Sequence, residues 1–255
     1  MTGCTVKELC AAVGGTLLQQ SGAVVTQVST DSRSIPNRAL FVPLVGGRFD
    51  GHDYLAAALE RGAAGCLTAK KPASLLPDKF YIQVSDTLEA LKALAAWYRA
   101  KFDIPMVQVT GSAGKTTTTP IIPELLKKAG NTVHVGGNIG HPLLCEAGDM
   151  RPTDYAVLEL SSFQLMTMPY SPHIAVVTNL APNHLDVHKD MAEYVAAKEN
   201  IFRHQKPGDK AIFNFDNDIT RQQGESVPDR AVYFSRQSEP EKGVFLRGDA
   251  IVCRD

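Results

Sequence analysis

The stretch from Val107 to Thr118, Val-Gln-Val-Thr-Gly-Ser-Ala-Gly-Lys-Thr-Thr-Thr, constrains the fold of this chain more than any other. An apolar β-prone run, Met106 to Val109, enters a turn holding Gly111 and Gly114 and meets Lys115 and Thr116. That is the order a phosphate-binding loop requires. The glycines let the backbone curl with its N–H groups inward, Lys115 supplies a point charge for the outer phosphates, and the Thr116 hydroxyl can ligate Mg²⁺. The loop is shorter than the common one. By spacing alone it reads either as a triphosphate cradle or as a plain glycine turn between a strand and a helix.

A length of 255 residues allows one large or two smaller domains with a substantial core. A net charge of −1, with both signs interspersed, leaves no electrostatic footprint for nucleic acid or a membrane surface. Any polyanion is therefore bound locally. Cys4, Cys10, Cys66, Cys145 and Cys253 lack metal-ligand spacing and read as reduced thiols. Residues Thr5 to Val13 look like a short amphipathic helix rather than a leader, and no apolar run is long enough to span a bilayer. A cytoplasmic monomer is the expectation.

Residues 1–103 read as a small α/β domain. A short helix and Gly14-Gly15 precede strand-like runs within Val28 to Val45, and a helix from Tyr54 to Arg61 stops at Gly62. By residue type, Asp31, Ser32 and Arg33 are a solvated turn. A helix from Thr87 to Ala100 leads to the second domain, 104–255, where strand, loop and helix repeat as in a parallel sheet. Apolar runs at Tyr155–Leu160, His173–Leu180 and Ala211–Phe215 each end in a polar cluster. Ligands in open α/β sheets sit beyond the carboxyl ends of strands, so Lys115, Glu159, His184 and Asp216 are expected to converge. Pro120 and Pro123 interrupt the helix after the loop, at about 3 kcal/mol for an interior proline, and predict a break there.

The segment Thr110 to Thr118 resembles the phosphate loop of the Mur ligases, ATP-dependent amide-forming enzymes of peptidoglycan precursor synthesis, which share the short spacing. Gly137-Asn138-Ile139-Gly140, Leu158 to Leu165, Thr178-Asn179-Leu180 with His184-Leu185-Asp186, and Tyr194 to Lys198 are similar to the member that adds D-glutamate to UDP-N-acetylmuramoyl-L-alanine. Ser29 to Arg33, Leu40-Phe41-Val42 and Gly47 to His52 resemble instead the uridine-binding domain of the later ligases, which add the third residue or D-alanyl-D-alanine.

The resemblance implies a uridine-binding-like α/β domain followed by a P-loop parallel-sheet ATP-binding domain. It also implies a longer polypeptide, so the 255 residues are expected to be an incomplete two-domain portion, without the C-terminal domain and weakly active alone. ATP and Mg²⁺ are the implied cofactors, and a UDP-linked muramoyl precursor and an amino acid the implied partners. Gly111, Ser112, Ala113, Gly114, Lys115, Thr116 and Thr117 hold the nucleotide. Asp31, Ser32, Arg33, Asn138, Ser161 and Gln164 face substrate, and Thr116, Glu159, His184 and Lys198 hold metal, with Lys115, His184 and Lys198 catalytic. By residue type alone Lys198 is a surface lysine on the helix Met191 to Ile201, and His184 is a turn or core residue. The resemblance makes Lys198 a carbamylated metal ligand. His188, in the same loop as His184, faces substrate or water.

Overall fold

Thr5 starts the first helix by a reciprocal cap: its hydroxyl accepts from the Glu8 amide while the Glu8 carboxylate accepts from the Thr5 amide. The computed structural model describes residues 3–140, 143, 146–182 and 188–255. These fall into two compact units, Met1–Asp103 with Leu144–Met150, and Ile104–Leu143 with Arg151–Asp255.

The first unit comprises β1 (Cys4–Thr5), α1 (Val6–Ala12), β2 (Thr16–Gln19), β3 (Val24–Val25), β4 (Gln27–Ser29), β5 (Ala39–Phe41), α2 (Leu55–Glu60), β6 (Gly65–Thr68), β7 (Phe80–Gln83) and α3 (Thr87–Arg99). Its five-stranded sheet has the order β2-β7-β6-β5-β4, parallel except for β2. Every residue of β5 and β6 is buried, as expected of central parallel strands covered on both faces. Leu9, Leu40, Leu67, Phe80, Ile82, Leu94 and Tyr98 form one side of the core, joined by Ala147. Phe41, Leu59, Cys66 and Tyr81 form the other. Asp86 caps α3 by accepting from the Leu88 and Glu89 amides. The parallel pairing of β4 with β5 leaves the segment 30–38 as their connection, and it carries Asp31, Ser32 and Arg33.

The second unit comprises β8 (Met106–Thr110), α4 (Lys115–Lys128), β9 (Val133–Gly137), β10 (Tyr155–Glu159), α5 (Ser162–Met166), β11 (Ile174–Val177), α6 (Met191–Arg203), β12 (Lys210–Asn214), α7 (Asp218–Glu225), β13 (Ala231–Ser235), β14 (Gly243–Arg247) and β15 (Ala250–Arg254). Its sheet has the order β15-β14-β13-β12-β11-β8-β10-β9, parallel except for the terminal β15. Side chains alternate across it. Val107, Val109, Val157 and Val176 pack with Ile122 and Leu126 of α4, while Ala175, Val177, Ala211 and Phe213 pack with Tyr194, Ile201 and Phe202 of α6.

The break expected at the prolines is absent. Helix α4 runs unbroken from Lys115 to Lys128 through Pro120 and Pro123. Pro120 takes the donor from the Thr116 carbonyl, but Thr116 is exposed and water can serve that oxygen. Pro123 is buried, so its ring adds to the apolar area removed from water. Lys127 and Lys128 in the last turn complement the helix dipole.

Candidate functional site

The loop between β8 and α4 is shaped by backbone approach. Gly111 has φ +153°, and a Cβ there would collide with Thr178 Oγ1; Gly114, with φ +81°, is the left-handed residue from which α4 starts. The end of β11 holds the loop. Thr178 Oγ1 donates to Ala113 O at 2.6 Å, Ser112 N–H donates to Asn179 O at 2.9 Å, and Ala113 N–H donates to Asn179 Oδ1 at 2.9 Å. Those two loop amides are thus committed inside the protein. An anion has the first-turn amides of α4, around Lys115, Thr116 and Thr117, together with the positive end of the helix dipole.

Two ammonium groups meet at one carbonyl. Lys115 Nζ donates to Gly111 O at 2.9 Å and Lys198 Nζ donates to the same oxygen at 3.1 Å. Lys198 Nζ also donates to Thr110 Oγ1 at 3.1 Å, and that hydroxyl donates to Leu160 O at 2.9 Å. Lys198 is only 2% exposed, which corrects the surface reading of its residue type. The reason is helical spacing: it shares the buried face of α6 with Tyr194, Ala197, Ile201 and Phe202. Burial first and the Lys115 charge second, opposed by Glu159, lower its amine to about 7.

Glu159 ends β10 beside β8 and is 1% exposed. Its Oε1 accepts from Asn138 Nδ2 at 3.1 Å, and its backbone carbonyl accepts from the Asn138 amide at 2.7 Å. Its Oε2 is buried without a hydrogen-bond partner. An orphaned carboxylate oxygen fits a hard cation, and Glu159 with the Thr116 hydroxyl would supply oxygen ligands to Mg²⁺. No group of three or more His, Cys, Asp and Glu gathers among the described residues. His184, with its neighbour Asn183, lies outside them.

Other expected residues are placed differently. Ser161 and Gln164 form a capping box at α5, where Ser161 N–H and Oγ donate to Gln164 Oε1 at 2.9 and 3.0 Å. The Asp216 carboxylate accepts from Ser235 Oγ and from the Arg236 amide, tying β12 to β13. His188 does not face water. It is 2% exposed, with Nε2 2.8 Å from Ser162 Oγ and its ring stacked on Phe163. Sequence reasoning quoted Thr110, Thr178, Asn179 and Tyr194 only as parts of motifs. Their polar groups following or facing a strand end were the available signal.

A second cavity, of about 610 Å³, lies in the first unit and is lined by Asp31, Ser32, Arg33, Phe49, Tyr54 and Arg61, among others. Asp31 and Arg33 pair with each other, at 2.9 Å between Arg33 Nη2 and Asp31 Oδ2. The Arg33 side-chain hydrogen bond, and then its backbone amide, hold the Asp31 carboxyl at about 2. Arg61 Nη1 donates to Ser32 O at 2.8 Å. Nothing in the local sequence of Arg61 points to this role. No helix among the described residues is long and apolar enough to cross a membrane.

The family model for the Mur ligase middle domain matches residues 109–248, and that for the Mur ligase family catalytic domain matches residues 24–99. The UDP-N-acetylmuramoylalanine–D-glutamate ligase of Acetivibrio thermocellus is 56% identical over 147 residues, covering 58% of this chain and 32% of its own length. That of Clostridium novyi is 51% identical over 144 residues, covering 56% of this chain and 31% of its own. Among solved structures, MurF from Acinetobacter baumannii has a TM-score of 0.78 at 24% identity, over 96% of this chain and 55% of that one. MurF from Thermotoga maritima in complex with ADP has a TM-score of 0.70 at 25% identity, over 86% and 52%. The chain spans about a third of the length of these curated relatives. With the middle-domain match alone covering more than half of its residues, the chain belongs to the Mur ligase family.

Proposed function

We propose that this chain carries the nucleotide site and part of the substrate site of an ATP-dependent amide-bond ligase of peptidoglycan precursor synthesis, adding D-glutamate to UDP-N-acetylmuramoyl-L-alanine. The carrying observation is the meeting of the Lys115 and Lys198 Nζ atoms on Gly111 O, with the buried Glu159, whose Oε2 is unpartnered, close enough to act on the Lys198 amine. Joining a carboxylate to an amine in water needs an activated carboxylate. Transfer of the γ-phosphoryl group to it gives an acyl phosphate, which the amine attacks with loss of phosphate. Both reactants are anions, so the work of the protein is positioning and charge neutralisation.

The first turn of α4 and Lys115 bind and orient the phosphates. Asn138 holds Glu159, and Thr116 and Glu159 are the described oxygen ligands for Mg²⁺, which would screen the charge between the reactants. Lys198 as an ammonium would repel a cation. Its amine, buried and lowered to about 7, is about half neutral near neutral pH, and the neutral form can bond carbon dioxide through nitrogen and lose a proton to water to give a carbamate, whose oxygens would suit a second metal with His184. In the first unit, Phe49 and Tyr54 offer aromatic faces and Arg33 and Arg61 offer cations to a uridine diphosphate group.

A later Mur ligase is the second reading. It is favoured by the likeness of the first unit to the later ligases and by the fold match to MurF over 96% of the chain.

Calorimetry with Mg·ATP, followed by phosphate release and mass spectrometry with each muramoyl precursor, tests both readings. Measurable nucleotide binding with slow turnover on UDP-N-acetylmuramoyl-L-alanine and D-glutamate is expected. No nucleotide binding would overturn the reading, and turnover with a later precursor alone would select the second.

A further inference from the structure

Ser112 belongs to the phosphate loop, yet it turns its polar groups into the protein. Its N–H donates to Asn179 O at 2.9 Å. Its hydroxyl donates to Ala181 O at 2.9 Å and accepts from the Ala181 N–H at 3.0 Å. A fourth partner, the Tyr194 hydroxyl, lies 3.0 Å from the same Oγ. A serine hydroxyl has one proton, and here Ala181 O receives it. The Tyr194 contact is therefore served by the phenol donating to Ser112 Oγ.

Tyr194 is 1% exposed and touches more than the loop. It stands one turn before Lys198 on α6, with its ring 4.8 Å from Lys198 Nζ, and its edge packs against His188 with centroids 5.2 Å apart. The hydroxyl and the ring thus meet two different parts of the candidate site. Lys198 and Lys115 share one carbonyl of the same loop, so a shift of α6 along the loop would alter the spacing of both cations.

We propose that Tyr194 is a positioning residue whose hydroxyl, acting through Ser112, fastens the phosphate loop to the helix that carries Lys198. The proposal deepens the nucleotide-site reading and rests on it for its functional consequence. Small misplacements of groups that hold a reacting phosphate are costly, which gives such a fastening its value.

The test uses Tyr194→Phe, which removes the hydroxyl and keeps the ring, with Ser112→Ala and the double variant. Mg·ATP affinity is measured by calorimetry. Hydrogen exchange of the Ser112 and Ala113 amides, both bonded to Asn179, is measured without nucleotide. Tyr194→Phe is expected to weaken Mg·ATP about five-fold, the worth of one ordinary hydrogen bond, and Ser112→Ala more, because it also removes both bonds to Ala181. The double variant is expected to bind no more weakly than the weaker single one, since both remove the same link. The two loop amides are expected to exchange about five-fold faster in Tyr194→Phe, with Phe213 in the sheet unchanged. Unchanged loop exchange in Tyr194→Phe, or losses that add in the double variant, would overturn the proposal. A wild-type chain that binds no Mg·ATP would overturn the nucleotide reading, while the exchange measurement still decides whether Tyr194 holds the loop.

Discussion

The two candidate sites are built on opposite terms. In the second unit the phosphate loop is held from several sides, by Thr178, Asn179, Ala181 and Tyr194, and of the charged groups beside it Glu159 and Lys198 are buried and Lys115 half-buried. One carboxylate oxygen there is left without a partner. In the first unit the polar and aromatic groups of the cavity, Arg33, Phe49, Tyr54 and Arg61, are exposed above a buried Phe41, and Asp31 and Arg33 answer each other's charge at the surface. A buried site stores its preference for a ligand in groups that nothing else satisfies. A surface site holds its ligand by adding contacts to groups that water already serves. The second unit should therefore respond to single substitutions far more steeply than the first.

The largest effect is expected at Gly111. An alanine Cβ would meet Thr178 Oγ1 at a φ of +153°, and the nearby Asn179 backbone leaves it nowhere to go. Gly111→Ala should destabilise the second unit by about 4 kcal/mol, in the range of strain at a special backbone position. Gly47→Ala, in a first-unit loop with open space around it, should change stability by less than about 0.5 kcal/mol. Urea unfolding of both variants checks the contrast. A mild Gly111→Ala would mean that the loop is looser than its contacts state.

Next in size is Glu159→Gln. The amide keeps the shape and can still meet Asn138, but loses the charge of the unpartnered oxygen. Mg²⁺-dependent nucleotide affinity should fall about a hundred-fold, while the weaker affinity measured in EDTA should be unchanged. Equal losses with and without the metal would remove Glu159 from the metal site.

These two residues also mark what could be read from the chain before its fold was seen. Gly111, Lys115 and Glu159 were legible because a loop after an apolar strand announces itself in consecutive residues, and the parallel sheet then gathers the strand ends. Lys198 was half legible. Its type argued for the surface and the resemblance alone singled it out, whereas the structure shows that its spacing from Tyr194, Ala197 and Ile201 puts it on the buried face of α6. The prolines misled because helix cost was counted without the exposed Thr116 carbonyl or the buried Pro123 ring. Asp216 shows that a polar residue after a strand can also pin the neighbouring strand, a role its type does not announce. Arg61 was invisible, since its partner Ser32 lies on a different element and no local pattern joins them.

A third effect separates the units by pH. The Lys198 amine titrates at about 7 when folded, below its ordinary 10.5, through burial first and the Lys115 charge second. Below pH 7 both folded and unfolded states are protonated, so the cost of burying the charge is fully felt. Between about 7 and 10.5 the unfolded state holds a proton that the folded state has released, and stability rises with pH. The second unit should gain up to about 1.4 kcal/mol per pH unit across that window. Lys198→Met should abolish the gain. A slope that survives the substitution would assign it to another group.

The smallest effect belongs to the first unit. Arg61→Ala removes the donor to Ser32 O, a contact between the end of α2 and the 30–33 segment at an exposed position. Neither Ser32 O nor its surroundings are left dry, so stability should change by less than about 0.5 kcal/mol. Binding is a different matter, because the same guanidinium lines the cavity and would face a diphosphate. UDP affinity should fall about five-fold, and the loss should shrink as salt is raised, since an exposed cation acts through a screened field. A salt-independent loss would mean that Arg61 acts by holding Ser32 in place and not by its charge, and the cavity of the first unit would then share the positional logic of the phosphate loop.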